Sequence, residues 1–310
     1  MKYTEKNGLK FSAFQLGTVQ LGMNYGITGK TEKPDEAYAH SILDTAVKCG
    51  VNTLDTANNY GDSERVIGNW LASRDGLEKP LVITKLGPFD HSSEEALRKC
   101  IREQAERSLA TLGLSTVDVM MLHNFGEYMK NPEVVIDEFR RFKENGKARM
   151  IAASAYSDHD YKMIAESGFE AVQIPLNAFD QSRIEDGGVD AIAKAGMLIF
   201  TRSVFLQGLV FMDPDNLPAK MSFAEETLRK YKALADKFGM SPEVLALSFV
   251  LSVPGVTSVV LGCQTPEQVE ANSELIDKTR KLTDSEIEEL RGAFSGIDRL
   301  VIDPRLWPKE

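Results

Sequence analysis

Short apolar runs alternate with amphipathic helical stretches along nearly the whole chain of 310 residues. Such runs, bounded by turn residues, are typical of strands buried on both faces of a parallel sheet. Eight of them are present: Phe14–Thr18, Val51–Asp55, Leu81–Lys85, Val117–His123, Met150–Ser154, Ala171–Leu176, Leu198–Ser203 and Thr257–Leu261. Because helical patterns join them through short connections, the chain is predicted to be an α/β protein, a (β/α)8 or TIM barrel.

A doubly wound open sheet is the alternative arrangement of the same units. Its dinucleotide-binding form carries a Gly-x-Gly-x-x-Gly turn after an early strand. No such turn follows an early strand here, and no linker or low-complexity segment interrupts the alternation. We therefore predict one barrel domain over residues 1–310.

Capping chemistry and apolar periodicity predict where the helices lie. One helix starts at about Pro34, a long one follows Ser92 and ends at Gly113, and the last starts at Thr283. The others are Ser63–Ala72, Pro132–Asn145, Asp158–Ser167, Ala224–Phe238, Pro242–Leu251 and Thr265–Ile276. Three pairs have the spacing of a capping box: Ser92 with Glu95, Thr265 with Gln268, and Thr283 with Glu286.

Both ends of the chain lie outside the repeated units. Residues 2–12 are predicted to form a β-hairpin, since Asn7-Gly8 suits the two positive-φ positions of a tight turn. The segment from Ile297 to the end follows the C-terminal helix and contains Pro304 and Pro308, and it is predicted to be irregular.

Composition narrows the class of function. The net charge of −10 gives no overall positive field for nucleic acid or anionic lipid. The three cysteines are far apart, which is typical of a reducing cytosol rather than of disulfides or a zinc site. No signal peptide and no apolar run of about 20 residues is present. A cytoplasmic protein without nucleic-acid or membrane partners is predicted, and its oligomeric state is open.

Three candidate catalytic residues stand at the ends of three successive predicted strands. Asp55, Lys85 and His123 each occupy the last position, and Tyr60 follows Asp55 on the next loop. Catalytic residues of parallel barrels lie at these carboxyl ends, which open on one mouth. Each residue alone has an ordinary structural explanation, such as a capping carboxylate or a solvated lysine. Their joint placement favours an active site.

Elementary electrostatics suggests how these groups would work together. A tyrosine titrates near ~10, too high for efficient acid–base chemistry at neutral pH. An ammonium ~4 Å away interacts with a phenolate by about 4 kcal/mol at an effective dielectric of ~20, which lowers its pKa by up to about three units before desolvation opposes it. Asp55 would keep Lys85 charged, and His123 would direct a carbonyl group towards Tyr60.

The motifs resemble those of the aldo-keto reductase superfamily. They are Leu-Asp55-Thr-Ala-Asn-Asn-Tyr60-Gly-Asp-Ser-Glu64, Ile-Thr-Lys85 and Leu-His123, together with Leu16-Gly17-Thr18 and Gln173-Ile-Pro-Leu-Asn177. The resemblance covers nearly the whole chain. It implies NAD(P)(H)-dependent carbonyl reduction or alcohol oxidation, a catalytic tetrad of Asp55, Tyr60, Lys85 and His123, and Tyr60 as the proton donor.

The resemblance also implies a cofactor site, with two departures from the family pattern. Ala155 stands where relatives have an asparagine beside Ser154, and Arg202 stands where they have a stacking aromatic residue. The cofactor residues implied are Gly17, Thr18, Asp55, Ser154, Gln173, Arg202, Ser203, Leu206, Gly208, Gly262, Gln264, Gln268 and Asn272. Because Gly262, Gln264 and Gln268 are uncharged, we expect a weak preference for the 2′-phosphate of NADP(H), with NAD(H) as an alternative cofactor.

The substrate is predicted only as a class. Asn24, Tyr25, His123 and Arg202 would form a polar mouth for a small carbonyl compound or sugar, and the motifs resemble a bacterial branch associated with sugar and polysaccharide metabolism. The Phe125–Met129 loop and the tail around Trp307 are expected to contribute specificity.

Two other functions are compatible with the same barrel. Lys85 could act as a Schiff-base nucleophile, as in class I aldolases. The chain could also be a regulatory subunit that binds nucleotide without turnover.

Overall fold

Eight parallel strands close into a barrel, preceded by a two-stranded antiparallel sheet. The computed structural model describes residues 1–24, 32–74 and 76–308. The strands are β1 (Tyr3–Lys6), β2 (Leu9–Ser12), β3 (Phe14–Gly17), β4 (Thr53–Asp55), β5 (Leu81–Leu86), β6 (Val117–Leu122), β7 (Ala148–Ser154), β8 (Ala171–Pro175), β9 (Leu198–Arg202) and β10 (Val256–Gly262). The strands β3 to β10 follow one another in chain order around the barrel, and β10 pairs with β3 to close it. The barrel prediction is confirmed, and the open sheet is excluded.

Helices surround the barrel on its outer face. They are α1 (Val19–Gly22), α2 (Glu36–Lys48), α3 (Ser63–Ala72), α4 (Glu94–Leu112), α5 (Phe125–Lys130), α6 (Pro132–Glu144), α7 (Tyr161–Glu166), α8 (Ser182–Glu185), α9 (Gly188–Lys194), α10 (Glu225–Lys237), α11 (Pro242–Ser252), α12 (Pro266–Lys278), α13 (Asp284–Phe294) and α14 (Arg299–Ile302). Short 3-10 helices cover Leu206–Phe211, Ala219–Ala224 and Pro304–Leu306. Within the described ranges, no helix is long and apolar enough to cross a bilayer.

The predicted N-terminal hairpin closes one end of the barrel. β1 and β2 pair antiparallel through a turn in which Asn7 and Gly8 have φ of 51° and 70°. Leu9 and Phe11 of β2 are buried in the same apolar cluster as the inward-facing strand residues, and the Phe11 and Phe200 rings lie 5.2 Å apart. This inner cluster is separate from the larger one between the strands and the helices. The hairpin therefore contributes the floor of the barrel interior.

Several predicted helix starts were displaced by one or two residues. The cap of α2 is Asp35, whose side chain accepts from Tyr38 N, so Pro34 lies outside the helix. The cap of α4 is Ser93, which accepts from Ala96 N, and the predicted box of Ser92 with Glu95 is wrong. Adjacent serines offer the same chemistry, and the backbone at Ser93 is the extended one that a cap needs.

The two C-terminal capping boxes differ in outcome. Thr283 and Glu286 bond reciprocally, as predicted. Thr265 accepts from Gln268 N, but the Gln268 side chain accepts from Gln264 N, so the box of Thr265 with Gln268 is only half formed.

The elements that the sequence pattern missed are short. The predicted Phe125–Met129 loop is the helix α5, and α8 and α9 follow β8 where no helix was predicted. The tail, predicted to be irregular, contains α14 and one 3-10 turn, and Trp307 packs into the core with its Nε1 donating to Leu300 O at 2.9 Å. Helices of four to seven residues show too little of the 3.6-residue period to be recognised.

Candidate active site

Polar side chains replace apolar ones where the strands leave the inner core. Side chains two residues apart on a strand point to the same face. Ile83, Met121 and Phe200 lie in the inner cluster, and two residues further along are Lys85, His123 and Arg202. Ser154 and Gln173 follow the inner residues Ala152 and Ala171 in the same way. The strand period therefore brings the predicted polar residues together at one end of the barrel.

A buried ion pair stands at the centre of this end. Lys85 is 1% exposed, and its Nζ forms a short ion pair with Asp55 Oδ1. Gln173 Nε2 donates to the other carboxylate oxygen of Asp55 at 2.7 Å. Burial by itself lowers the pKa of Lys85, but Asp55 and Tyr60 outweigh it and raise that pKa above its usual value. Lys85 is therefore held as an ammonium ion.

The phenol of Tyr60 contacts the same ammonium group. Tyr60 Oη lies 3.3 Å from Lys85 Nζ, and Nζ is 5.0 Å from the centre of the tyrosine ring. A positive charge at this distance stabilises a phenolate relative to a phenol. Asp55, Lys85 and Tyr60 thus form one chain of contacts from the barrel interior to its mouth.

Hydrogen bonds among small polar residues hold the loop that carries Tyr60. Thr18 Oγ1 donates to the Asp55 carbonyl at 2.9 Å, and Ser63 Oγ donates to Thr18 Oγ1 at 2.8 Å. Thr56 Oγ1 donates in turn to Ser63 Oγ at 2.9 Å. All of these hydroxyls are buried, so each bond replaces one that water would make. The end of β3, the end of β4 and the start of α3 are thereby joined around Tyr60.

Two glycines let the Tyr60 loop pack directly on the backbone after β3. A Cβ at Gly22 would overlap Tyr60 O and Ser63 N, and a Cβ at Gly61 would overlap Gly22 O. Asp62 N donates to Gly22 O at 3.2 Å. The position of Tyr60 therefore depends on the absence of a side chain at residue 22.

His123 lies beside Tyr60 as a neutral ring. The two ring centres are 5.5 Å apart and nearly perpendicular. Burial, with smaller contributions from the charges of Lys85 and Arg202, lowers the pKa of His123 to about 3. Its Nδ1 is buried and has no hydrogen-bond partner among residues 1–24, 32–74 and 76–308. The imidazole is thus uncharged at neutral pH, and it has hydrogen-bonding capacity left for a ligand.

A cleft of about 560 Å³ extends from Asp55 and Tyr60 to α12. This volume lies in the range of small-molecule and cofactor sites. Eleven of the predicted cofactor residues line it: Gly17, Thr18, Asp55, Gln173, Arg202, Ser203, Gly208, Gly262, Gln264, Gln268 and Asn272. The side chains of Ser154 and Leu206 are buried and are not among the lining residues that the structure describes.

The backbone that borders the cleft after β9 is strained. Ser203, Leu206 and Gln207 have φ of 61°, 46° and 52°, a region that side chains other than glycine rarely adopt, and Gly208 follows at 95°. Each such residue costs about 1–3 kcal/mol and persists where the surroundings impose it, often at ligand clamps. Successive left-handed residues also form concave arrays of N–H groups that suit anions.

Sequence reasoning missed several residues of the cleft. Gln20, Phe205 and Phe211 line it in addition to small and aliphatic side chains. Gln20 Oε1 is buried without a partner in the part of the chain that the structure describes, and its amide occupies the space where Gly262 would carry a Cβ. The glycine at 262 was the available signal, because it permits a close approach, but it does not indicate which side chain approaches.

Arg202 does not form a salt bridge with any carboxylate that the structure describes. Its Nη2 donates to Ala155 O at 3.1 Å, and its guanidinium carbon lies 4.7 Å from the centre of the Tyr156 ring. The residue that stands where an asparagine was expected, Ala155, therefore contributes its carbonyl group to holding Arg202.

The predicted substrate residues are only partly placed. Asn24 is exposed, and its Oδ1 accepts from Lys33 N at 2.8 Å. Lys33 pairs with Asp62, two residues after Tyr60. Tyr25 lies outside the described residues.

The cleft is suited to an organic cofactor rather than to a metal ion. Across the described ranges, no group of three or more His, Cys, Asp or Glu side chains is arranged to hold a metal. The lining combines amide, hydroxyl and backbone groups with apolar side chains such as Leu275. That mixture is typical of sites that bind a nucleotide.

Comparison with known proteins identifies the family. The sequence profile described as the aldo/keto reductase family matches residues 13–294. The chain is 26% identical to the uncharacterized oxidoreductase YqkF of Bacillus subtilis over 91% of this chain and 92% of that protein. It is 24% identical to the NADH-specific methylglyoxal reductase of Escherichia coli, over 94% of this chain and 97% of that enzyme.

A solved structure shares the fold. The holo form of the aldo-keto reductase AKR11C1 from Bacillus halodurans superposes with a TM-score of 0.76 at 22% identity, covering 94% of this chain and 96% of that one. Because the profile covers most of its length, this chain belongs to the aldo/keto reductase family, an oxidoreductase family that uses NAD(P)(H).

A methyl group at residue 22 is expected to displace Tyr60. In Gly22→Ala the Cβ overlaps the Tyr60 carbonyl, so we expect at least a tenfold fall in kcat on an aldehyde panel and a loss of about 1–3 kcal/mol in unfolding free energy. Gly292→Ala is the matched control, because the added methyl group meets open space within α13. An unchanged kcat in Gly22→Ala would show that this contact does not position Tyr60.

The neutral state of His123 is expected to make the fold sensitive to acid. An unfolded histidine binds a proton below about pH 6.5, whereas His123 in the folded chain, with a pKa of about 3, does not. Unfolding free energy therefore falls as the pH drops below about 6.5, by about 2 kcal/mol from this group at pH 5. Denaturant titrations should show His123→Gln to be less acid-sensitive than the wild type by this amount. Imidazole NMR of the folded protein should give a His123 midpoint below pH 5, and a midpoint near 6.5 would contradict the assignment.

Proposed function

We propose that this aldo-keto reductase reduces the carbonyl group of an aldehyde, ketone or sugar, or oxidises the corresponding alcohol, with Tyr60 as the general acid. The observation that carries the proposal is the 3.3 Å contact between Tyr60 Oη and Lys85 Nζ at the inner end of the cleft. Asp55, Lys85 and Tyr60 lie in one line of contacts, and His123 lies beside the phenol.

Lys85 would make Tyr60 a better proton donor. The Lys85 ammonium group lies 3.3 Å from Tyr60 Oη, and a positive charge this close favours the phenolate over the phenol. Asp55 holds Lys85 in place, and Gln173 binds the other oxygen of Asp55. The proton on Tyr60 Oη would move to the substrate oxygen, and the ammonium group would stabilise the phenolate left behind.

His123 would orient the substrate. A neutral imidazole donates an N–H hydrogen bond to a carbonyl oxygen without adding a charge that competes with Lys85. The lowered pKa of His123 supports this neutral role. Its ring packs perpendicular to that of Tyr60, and both polar groups would contact the same substrate oxygen.

The cleft would hold the dinucleotide across the C-terminal ends of β3, β9 and β10. When bound, the nicotinamide supplies the hydride or accepts it. Gln173 donates to Asp55 through Nε2, which leaves Oε1 to accept from the carboxamide, with Ser154 close by on β7. The remaining contacts are proposed for Gly17, Thr18, Arg202, Ser203, Leu206 and Gly208 around the inner half, and for Gly262, Gln264, Gln268 and Asn272 at the adenosine end.

The electrostatics of Lys85 argue against a Schiff-base enzyme. Imine formation needs a neutral amine, which a lowered lysine pKa provides. Asp55 and Tyr60 instead raise the pKa of Lys85 against the effect of burial. One relative, a putative voltage-gated potassium channel subunit beta of Schizosaccharomyces pombe, is 26% identical over 91% of this chain and 89% of that protein, so a regulatory subunit is the second candidate. The contacts among Asp55, Lys85 and Tyr60 are those that proton transfer requires, and they favour the reductase.

A small polar carbonyl compound is the proposed substrate. Arg202 lines the cleft, and the predicted residues Asn24 and Tyr25 would add polar groups to the substrate site. The methylglyoxal reductase of Escherichia coli is a relative over nearly its whole length. The three cysteines, Cys49, Cys100 and Cys263, are free thiols, which supports a cytoplasmic location.

Replacing Tyr60 should separate chemistry from cofactor binding. Tyr60→Phe removes the proton donor and leaves the other lining residues unchanged, so we expect kcat to fall at least a hundredfold while the Kd for NADH or NADPH stays within about threefold. Tyr3→Phe is the matched control, because Tyr3 lies on the hairpin, its hydroxyl donates to Gly50 O after α2, and neither residue lines the cleft. If Tyr60→Phe turns over at the wild-type rate, Tyr60 is not the general acid.

The adenosine end of the cleft predicts similar use of the two cofactors. Among the described lining residues, Arg202 is the single cation, and Gln264 and Gln268 stand where a 2′-phosphate would need one. We expect KM values for NADH and NADPH within about tenfold of each other. Gln268→Arg should shift the ratio of kcat/KM at least tenfold towards NADPH. A hundredfold preference of the wild type for NADPH would contradict this.

A further inference from the structure

Arg202 is an arginine whose charge the protein leaves unbalanced. It is partly buried at the end of β9, and it lines the cleft with Asp55, Tyr60 and Gln173. The part of the chain that the structure describes offers it one hydrogen-bond acceptor, Ala155 O, and no carboxylate within 4.0 Å. Withdrawing a charge from water is unfavourable unless a partner replaces the hydration. An anion in the cleft would be such a partner.

The neighbouring groups do not neutralise Arg202. Lys85 and Asp55 form a pair of opposite charges, and Gln173 and Tyr60 are polar and formally neutral. His123 is uncharged at neutral pH, since burial and then the two nearby cations depress its pKa. When the buried Lys85 is counted with its partner Asp55, the charged groups described around the inner cleft sum to +1, and the unbalanced charge is that of Arg202.

The guanidinium group is held with donors to spare. Stacking on Tyr156 at 4.7 Å fixes its plane, and the bond to Ala155 O uses one of its five N–H groups. Arg305 of the tail also lies over the Tyr156 ring, at 5.8 Å, but its Nε and Nη2 donate to the two carboxylate oxygens of Asp303. Of the two arginines on this ring, Arg202 is therefore the one without a carboxylate partner among the described residues.

We propose that Arg202 selects carbonyl substrates that carry an anionic group, a carboxylate or a phosphate, beside the carbonyl that is reduced. The proposal rests on the proposed function, because it names the substrate class of the same site. The free part of the guanidinium fork would bind two oxygens of the anion. The carbonyl would then lie between Arg202 and the hydroxyl of Tyr60.

Matched substrate pairs test the selection for charge. They are 4-oxobutanoate with butanal for the carboxylate, and glyceraldehyde 3-phosphate with glyceraldehyde for the phosphate. We expect the wild type to favour the anionic member of at least one pair by tenfold or more in kcat/KM, and the pair that responds identifies the anion. In Arg202→Gln this ratio should fall at least tenfold, and Arg202→Lys should retain part of it. The ratio cancels any general loss of activity in the variants.

Arg305→Gln is the matched control, because it removes a cation over the same tyrosine ring that already has a carboxylate partner. Its ratio should stay within about twofold of the wild type. A wild-type ratio within threefold of one for both pairs, or an unchanged ratio in Arg202→Gln, would overturn the proposal. A tenfold loss of NADH affinity in Arg202→Gln with an unchanged ratio would also overturn it, by assigning Arg202 to the cofactor phosphates.

An equilibrium measurement separates this proposal from the proposed function. Succinate and its neutral analogue succinamide are titrated calorimetrically into the enzyme saturated with NADH. We expect succinate to bind at least tenfold more tightly than succinamide, and Arg202→Gln to abolish the difference. If no carbonyl compound is turned over while this difference remains, the reductase proposal fails and anion recognition by Arg202 stands. Equal binding of succinate and succinamide would contradict anion recognition by Arg202, even if the enzyme reduces carbonyl compounds.

Discussion

The ion pair between Lys85 and Asp55 is the interaction on which the rest of the site depends. A buried ammonium ion is costly, and the cost is offset only where geometry and further hydrogen bonds are good. Gln173 satisfies the second oxygen of Asp55, and Tyr60 lies against the ammonium group. Since these four residues come from β4, β5, β8 and the loop after β4, the pair ties distant parts of the barrel to one another. His123, buried beside Tyr60 and neutral, adds no further charge to the site.

The strands and the central residues were predictable because their signals are strong and periodic. An apolar run that ends in Asp55 or Lys85 indicates a buried strand, and the charged residue indicates where that strand leaves the core. Adjacent serines such as Ser92 and Ser93 have equal capping chemistry, so the one that caps is decided by backbone geometry that the sequence does not display. Short helices such as α5 span too few turns to show a period.

The cofactor cleft was the least predictable part, for a physical reason. A positive φ is visible in a sequence when glycine carries it, as at Gly208, but not when Leu206 or Gln207 does. Such residues are held by their surroundings against their own preference. The approach of Gln20 to Gly262 is likewise a tertiary contact between segments more than 200 residues apart in the chain. Arg202 was recognised as unusual, and its partners, Ala155 O and the Tyr156 ring, required the structure.

The N-terminal hairpin, which closes one end of the barrel, affects the order in which the chain folds. Leu9 and Phe11 pack against side chains of β5 to β9, and Phe11 meets Phe200 from the far end of that series. These contacts exist only once the intervening strands have assembled, because no single strand offers the complete surface. Contacts of such sequence separation are slow to form. The hairpin, which comes before every barrel strand in the chain, is therefore expected to be among the last elements to reach its final position.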